Sequence, residues 1–428
     1  MALAGSRPAA AALPPGNTVQ QWNQIAENAV VASGVFQNEG LVYMGYVETA
    51  VYNSAVAIGG GYAPLGAGVV APRHASPDAA VIEAAYDTLV HYFPAQTGSL
   101  YALYLEALAQ LPDGLSKSNG QAVGLAAATG VIQSRMGDGL VTPYGLSTTF
   151  PTRAPGPGVW RLTPPAYVAP QTPWVGGVRP FVLDSADRFL PGPPPALASP
   201  TWAKAFNEIQ GIGSSTSTTR TADQTATARF WSANVIRQYN HLVRDLIDAR
   251  GFGLVRSARL AAMVNVIAAD AQISVMHAKY HYLFWRPVTA LDPTSVSATD
   301  AFGPSPGFDD GVAATVEVAG WRPLLTTPNH PEYPAAHGSL TSAMAEVLSA
   351  FLDSDRINVD IHGFDAAGLA GNLDAVHHFN APSDMRGEIV NARLWAGLHY
   401  RFSSEAGVAL GRKVAQYDLQ HAFRETGH

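Results

Sequence analysis

Three stretches of this 428-residue chain concentrate side chains able to hold an anion and act on it. The first is Lys279-Tyr-His-Tyr-Leu-Phe-Trp-Arg286-Pro287. Seven residues are nearly two helical turns, so on a continuous helix Lys279 and Arg286 share a face about 10 Å apart along the axis and can converge on one anion. Such cations also occur as a snorkelling lysine and a helix-ending arginine on a wet face. Here Tyr280, Tyr282, Phe284 and Trp285 leave little polar face. The second stretch, His330-Pro-Glu-Tyr-Pro334-Ala335-Ala336-His337-Gly338-Ser339, leads into a helix. A histidine at a helix start, beside backbone amides without partners, suits acid–base work on a bound anion. Taken alone, a loop histidine is more often a surface residue. The third stretch runs from Ala392 and Arg393 to His399 and Phe402. Six residues put Arg393 and His399 about 120° away from a common helical face, an offset that a long arginine can bridge. Taken alone, His399 reads as a core histidine bonded to a neighbour.

The elements that must position these stretches are helical. Trp22, Ile25, Ala26, Ala29 and Val30 recur at three- and four-residue intervals from Thr18, and Leu41 to Ile58 continues the pattern. Further helices are expected over Asp78 to Tyr92, Ser99 to Leu111, Ser118 to Met136, Thr201 to Gln210 and Thr225 to Ala249. The longest runs from Ser257, a plausible N-cap, to about Trp285 before Arg286-Pro287. Ser339 to Leu352, Pro382 to about Arg401 and Ser404 to Arg424 complete the set. No alternation of period two stands out, so the class is all-α. Between 141 and 200 lie 14 of the 31 prolines. Proline breaks helices, and Trp160, Tyr167, Trp174 and Phe181 supply anchors, so this is a long loop packed over the bundle rather than an interdomain linker. A second loop, Pro293 to Pro334, separates the first two chemical stretches. The expected organisation is a tail over 1–17 and a single helical domain over 18–428.

Composition narrows the partners. The chain is 14% charged where soluble domains average about 25%, which implies a large buried core. A net charge of −7 argues against nonspecific nucleic-acid binding. Zero cysteine excludes disulfides, thiolate metal sites and cysteine nucleophiles. The uncharged stretch Ser118 to Ser134 is too short and polar to span a bilayer, and the N-terminus shows no apolar signal core. Localisation stays open; a cysteine-free chain tolerates an oxidising exterior, secreted or periplasmic.

In order and spacing the three stretches resemble the Lys-x6-Arg-Pro, Pro-Ser-x-His and Ser-Arg-x5-His signature of the vanadium-dependent haloperoxidases and the type 2 phosphatidic acid phosphatase superfamily. The segments FWSANVIRQYN, ADAQISVMHAKYHYLFWRPVTA, PEYPAAHGSLTSAMAEVL and LWAGLHYRFSSEAGVALGRKVA look like bacterial and plant haloperoxidase-like members. Thr18 to Ile58 looks like their N-terminal helices, so the resemblance covers most of the chain and is weakest in the Pro-rich excursion. It implies a large helical bundle that binds vanadate, or phosphate in the same place, without haem or flavin. Lys279, Arg286 and Arg393 would grip the oxyanion with help from the Ala336 and Gly338 amides. His399 would be the axial metal ligand. His337 would move protons, and Lys279 and His330 would assist catalysis. The implied partners are hydrogen peroxide, a halide and an electron-rich organic substrate. Homo-oligomerisation is left open.

Several positions depart from the signature. Ala335 stands where the family has Ser, Ala336 where Gly is common, and Ala392 where Ser precedes the arginine. Position 403 is Ser rather than the Asp of the phosphatase pattern, so the carboxylate that would orient a nucleophilic His399 is absent there. His330 occupies a place where fungal chloroperoxidase-like members have Phe and algal bromoperoxidase-like members tend to have His, which favours bromide or iodide over chloride. His277, His281, His377 and His378 are read as structural or exposed. Two alternatives remain: a metal-free acid phosphatase using His399 as nucleophile, and a non-halogenating homologue that only binds phosphate or vanadate.

Overall fold

The computed structural model describes residues 12–140, 153–292, 294–295, 309–364 and 375–426. The first eleven residues of the expected tail, the opening of the Pro-rich excursion and much of the second loop lie outside these. Helices dominate, as expected: α1 (Thr18–Ala32), α2 (Gln37–Gly59), α3 (Pro77–Tyr92), α4 (Thr97–Ala109), α5 (Leu115–Arg135), α6 (Pro200–Ile212), α7 (Ala222–Phe230), α8 (Val235–Arg250), α9 (Leu254–Tyr282), α10 (Pro287–Leu291), α11 (Ala336–Leu352), α12 (Pro382–Trp395) and α13 (Arg401–His421). Among the described residues one antiparallel pair of strands, β1 (Val359–His362) with β2 (Val376–Phe379), aligns Val359 with Phe379. Four residues per strand are too few for a legible period of two.

Helix ends shift by a few residues throughout, and four of the differences from the sequence reading have a clear local reason. The expected Thr225 to Ala249 helix is two helices, because Asn234 accepts the Ile236 amide at 3.0 Å and restarts the chain as α8. Ser257 is not a cap: α9 begins at Leu254, and the Ser257 hydroxyl donates to the Phe252 carbonyl a turn inside. Helix α9 stops at Tyr282, not Trp285, since Leu283 turns left-handed (φ 49°) and Phe284 pairs with Val159 as an isolated bridge. Helix α12 stops at Trp395, where Gly397 adopts φ 74°.

The chain divides into two compact units, one of Met1–Met136, Tyr239–Val266 and Gln420–His428, the other of Gly137–Gln238 and Ile267–Leu419. In the first, α1 and α2 meet the main part of α8 and the start of α9 through a buried polar chain. Asn23 donates to Glu48 Oε1 at 2.8 Å and to Asn240 Oδ1 at 2.7 Å, and the Asn240 and Asn265 amides bond each other at 2.8 and 3.1 Å. Arg244 closes it with bonds to Asn23 Oδ1 at 2.8 Å and Glu27 at 2.7 Å. Buried polar groups are tolerated when they satisfy one another in this way, and they fix the register of the helices that carry them.

The second unit contains all three chemical stretches. An aromatic cluster of Trp202, Phe284, Trp285, Tyr333 and Tyr400 forms its core beside them, with Trp202 stacked on Trp285 at 5.7 Å. The Pro-rich excursion is packed against this unit's own helices. Asp270 of α9 accepts the amides of Phe181, Val182 and Leu183 at 2.7 to 3.1 Å, and the Trp160 amide donates to Leu283 at 2.7 Å. Helices α11 and α13 approach closely through glycine: a Cβ on Gly407 would lie 2.3 Å from the Ala335 carbonyl oxygen, and one on Gly411 only 1.8 Å from that of Ser339. That contact seats the first turn of α11. Helix α9 is long and apolar enough to cross a membrane by length and composition, yet its most apolar window is 94% buried, as in a core helix.

Candidate anion-binding active site

The structure brings Lys279, Arg286, His330, His337, Arg393 and His399 into one electrostatic neighbourhood, by a route other than shared helical faces. Lys279 lies on α9, but Arg286 lies beyond its end as the N-cap of α10. Both converge on the His330 loop. Lys279 Nζ donates to the carbonyls of Pro331 and Glu332, each at 2.9 Å, and Arg286 Nε donates to that of His330 at 2.9 Å. The Tyr333–Pro334 peptide in this loop is cis. Arg393 and His399 do not share a helix. Because α12 ends and Gly397 turns, the amides of Leu398 and His399 fold back on the Arg393 carbonyl at 3.2 and 3.4 Å. A Cβ on Gly397 would sit 2.4 Å from the Gly213 carbonyl oxygen, so only glycine fits this turn without a shift.

The charges are deeply buried. Lys279 and Arg286 are 0% exposed, Arg393 2%, His399 1% and His330 4%. Burial and then repulsion from Arg286 hold the Lys279 ammonium well below its ordinary range. Burial lowers Arg286 to about 10, and burial with repulsion from Arg286 lowers Arg393 to about 9. Burial first, and the cations second, keep His330, His337 and His399 well below the usual histidine range, so all three rings are neutral at neutral pH.

Glu332 supplies the one carboxylate in the three stretches, and the sequence reading passed over it. It is fully buried, and its Oε1 accepts from His399 Nδ1 at 2.8 Å and from the Tyr400 amide at 3.1 Å. Burial raises its pKa to about 7 against the pull of Lys279 and Arg286. The His399 tautomer follows from its partners. Its Nε2 lies 3.1 Å from Arg286 Nη1, and a guanidinium can only donate. Nε2 is therefore the acceptor, Nδ1 carries the proton, and Glu332 receives it. The carboxylate missing at position 403 is thus provided from another segment, and Ser403 instead donates to the Glu332 carbonyl at 3.4 Å.

Donor capacity remains for an anion. Arg393 spends Nη1 on the Trp231 carbonyl at 3.1 Å, while its buried Nε has no partner. His337 Nε2 is likewise buried and unpartnered. The His337 residue itself is only half-buried, as the second residue of α11. No side chain caps α11 at Ala335, so the first amides, those of Ala336, His337 and Gly338, have no partner within the helix. His330 lies against Arg286, whose Nη2 is 3.1 Å from its Nδ1 and 3.4 Å from its Nε2. His277, His281, His377 and His378 make other contacts: His277 bonds the Gly176 carbonyl, His281 packs on Tyr282, His377 meets Glu388 and stacks on Phe230, and His378 meets Asp360. Three buried cations, two of which act on the one carboxylate, with unspent donors among them, fit a small multiply charged oxyanion.

Residues 259–427 match the family model of the VCPO second helical-bundle domain. The vanadium chloroperoxidase of Curvularia inaequalis is 22% identical over 288 residues, 55% of this chain. The match spans about half of that relative, 46% of its length. Among solved structures, a bacterial vanadium-dependent iodoperoxidase superposes with a TM-score of 0.77 at 22% identity, covering 97% of this chain and 99% of its own. A holo-type bacterial vanadium-dependent chloroperoxidase gives 0.71 at 15% identity, covering 96 and 98%. The chain therefore has the fold of the vanadium-dependent haloperoxidases and carries, over residues 259–427, the second helical-bundle domain described for them.

Proposed function

We propose that the protein is a vanadate-dependent haloperoxidase that oxidises a halide with hydrogen peroxide to a hypohalous acid-like species, which halogenates an electron-rich organic substrate. The observation that carries this reading is the excess of buried cations around a neutral histidine whose unprotonated Nε2 faces Arg286. Lys279, Arg286 and Arg393 would hold vanadate, with the amides of Ala336 and Gly338, and His399 Nε2 would be the metal ligand. An anion among these cations offsets the burial that depresses Lys279 and Arg393. Bound vanadate would supply Lewis acidity that polarises peroxide, so that the halide gives up two electrons to the peroxide oxygen while the vanadium keeps its oxidation state. His337, neutral and with a free Nε2, would take a proton from incoming peroxide and return it to the leaving oxygen. His330 would bias Arg286 and the halide preference toward bromide or iodide. Among the related folds one is described as an iodoperoxidase and another as a chloroperoxidase. The test is to load the protein with orthovanadate, remove the excess, and follow bromination of a diketone reporter on adding peroxide and bromide. Retained vanadium without bromination or iodination contradicts the reading.

A second reading has an observation of its own. Glu332 orients His399 with Nε2 bare, which is what a metal-free phosphomonoesterase needs from a nucleophilic histidine. Vanadate-inhibited turnover of nitrophenyl phosphate, in the absence of halogenation, selects that reading instead.

A further inference from the structure

We infer that Glu332 is the positioning residue of His399: its carboxylate holds the imidazole in the Nδ1–H tautomer and turns the Nε2 lone pair toward the cations that would share the anion. The inference rests on the reading of His399 as a ligand through Nε2. It adds a residue that lies outside the recognised signature.

The placement of Glu332 is over-determined. Its backbone amide donates to the Phe284 carbonyl at 2.8 Å, and its own carbonyl accepts from Lys279 Nζ at 2.9 Å and Ser403 Oγ at 3.4 Å. The side chain therefore leaves from a fixed point, between the strip that follows α9 and the start of α13. Its Oε1 takes two N–H donors, from His399 Nδ1 and from the next residue's backbone at Tyr400. The Tyr400 bond holds Oε1 in place, and the His399 bond ties Nδ1 of the ring to it.

A plain counter-ion would behave differently. A carboxylate retained only to balance charge would turn its oxygens to the cations, where charge-assisted bonds are strongest. Instead Lys279 and Arg286 donate to backbone carbonyls and histidine nitrogens, while the Glu332 carboxylate accepts from His399 and Tyr400 and leaves Oε2 unpartnered. A carboxylate acceptor on Nδ1–H also increases the electron density at Nε2, which makes it the better donor to a metal.

The tautomer can be read without any metal. In full-length protein labelled with 15N-histidine and freed of bound anion, long-range 1H–15N correlation should show His399 with Nδ1 protonated, a strongly deshielded Nδ1 proton, and Nε2 bare. Glu332→Gln keeps the shape but removes the charge; it should move that proton upfield, populate the Nε2–H tautomer and weaken vanadate binding in equilibrium dialysis by about 10- to 100-fold. Glu332→Asp, which keeps the charge with a shorter reach, should fall between the two. Glu48→Gln alters a buried carboxylate outside the site and should change neither readout. An Nε2–H tautomer in the wild type, or a Glu332→Gln protein with unchanged proton shift and vanadate affinity, overturns the inference. Failure of the wild type to bind vanadate while showing the Nδ1–H tautomer overturns the vanadate reading and leaves the positioning role supported.

Discussion

Glu332 and His399 are 67 residues apart in sequence and 2.8 Å apart in the fold, joined by a fully buried bond from Nδ1 to Oε1. This bond defines what the site can do, since it commits the other ring nitrogen to accept or to coordinate. It also removes the strongest sequence argument against a reactive histidine, the serine at position 403.

His337→Ala should separate chemistry from binding. His337 makes no side-chain bond through Nε2 in the protein, so its loss leaves the grip on vanadate within several-fold. Turnover of peroxide and bromide should fall by roughly 10²- to 10⁴-fold, the usual contribution of a positioned acid–base group. Steady-state bromination beside vanadate dialysis checks the split; an equal loss in both contradicts the assigned role.

Ala335→Ser should restore the hydroxyl that the signature carries. Ala335 holds N-cap geometry (φ −71°, ψ 122°), and a serine there suits both the uncapped α11 and an anion beside it. The expected gain is about 1 kcal/mol in stability and about 1–3 kcal/mol in vanadate affinity, read by melting and dialysis. No change in either would mean that the hydroxyl faces neither the helix nor the anion.

Gly397→Ala should damage fold and site together. The new Cβ meets the Gly213 carbonyl at 2.4 Å, in a backbone conformation with φ 74° that alanine resists. A loss of about 1–3 kcal/mol is expected in denaturant, with the midpoint moving at constant slope. Vanadate affinity should fall too, because this turn delivers His399 back toward Arg393.

The fold class and the three stretches were legible because both rest on local pattern: helical periodicity, proline content and ordered runs of Lys, Arg and His. The geometry was not. Lys279 and Arg286 converge because α9 breaks at Leu283, and the His399 amide folds back on the Arg393 carbonyl because the chain turns at Gly397; neither break follows from periodicity. Glu332 was visible as the single carboxylate in three cationic stretches, and a buried excess of positive charge calls for one. Its partner, however, is fixed by long-range packing of the His330 loop on α13. The strand pair escaped notice because its strands are short and rich in histidine.

Stability should carry a pH signature from Glu48. Burial raises its pKa to about 7, opposed by the Asn23 bond and Arg244. The folded state therefore holds a proton that the unfolded chain releases near pH 4.5, and this contribution to stability is lost as pH rises from about 4.5 through 7. Glu48→Gln should be the more stable protein at pH 8, by up to about 3 kcal/mol, and should lose the advantage near pH 4. Denaturation of both proteins across that range checks the sign.

The most direct test of the central claim is vanadium stoichiometry after dialysis of wild-type and His399→Ala protein against orthovanadate. The account predicts about one vanadium retained per wild-type chain and at least 100-fold weaker binding when the axial nitrogen is removed. Equal retention by both proteins, or none by the wild type, would contradict it.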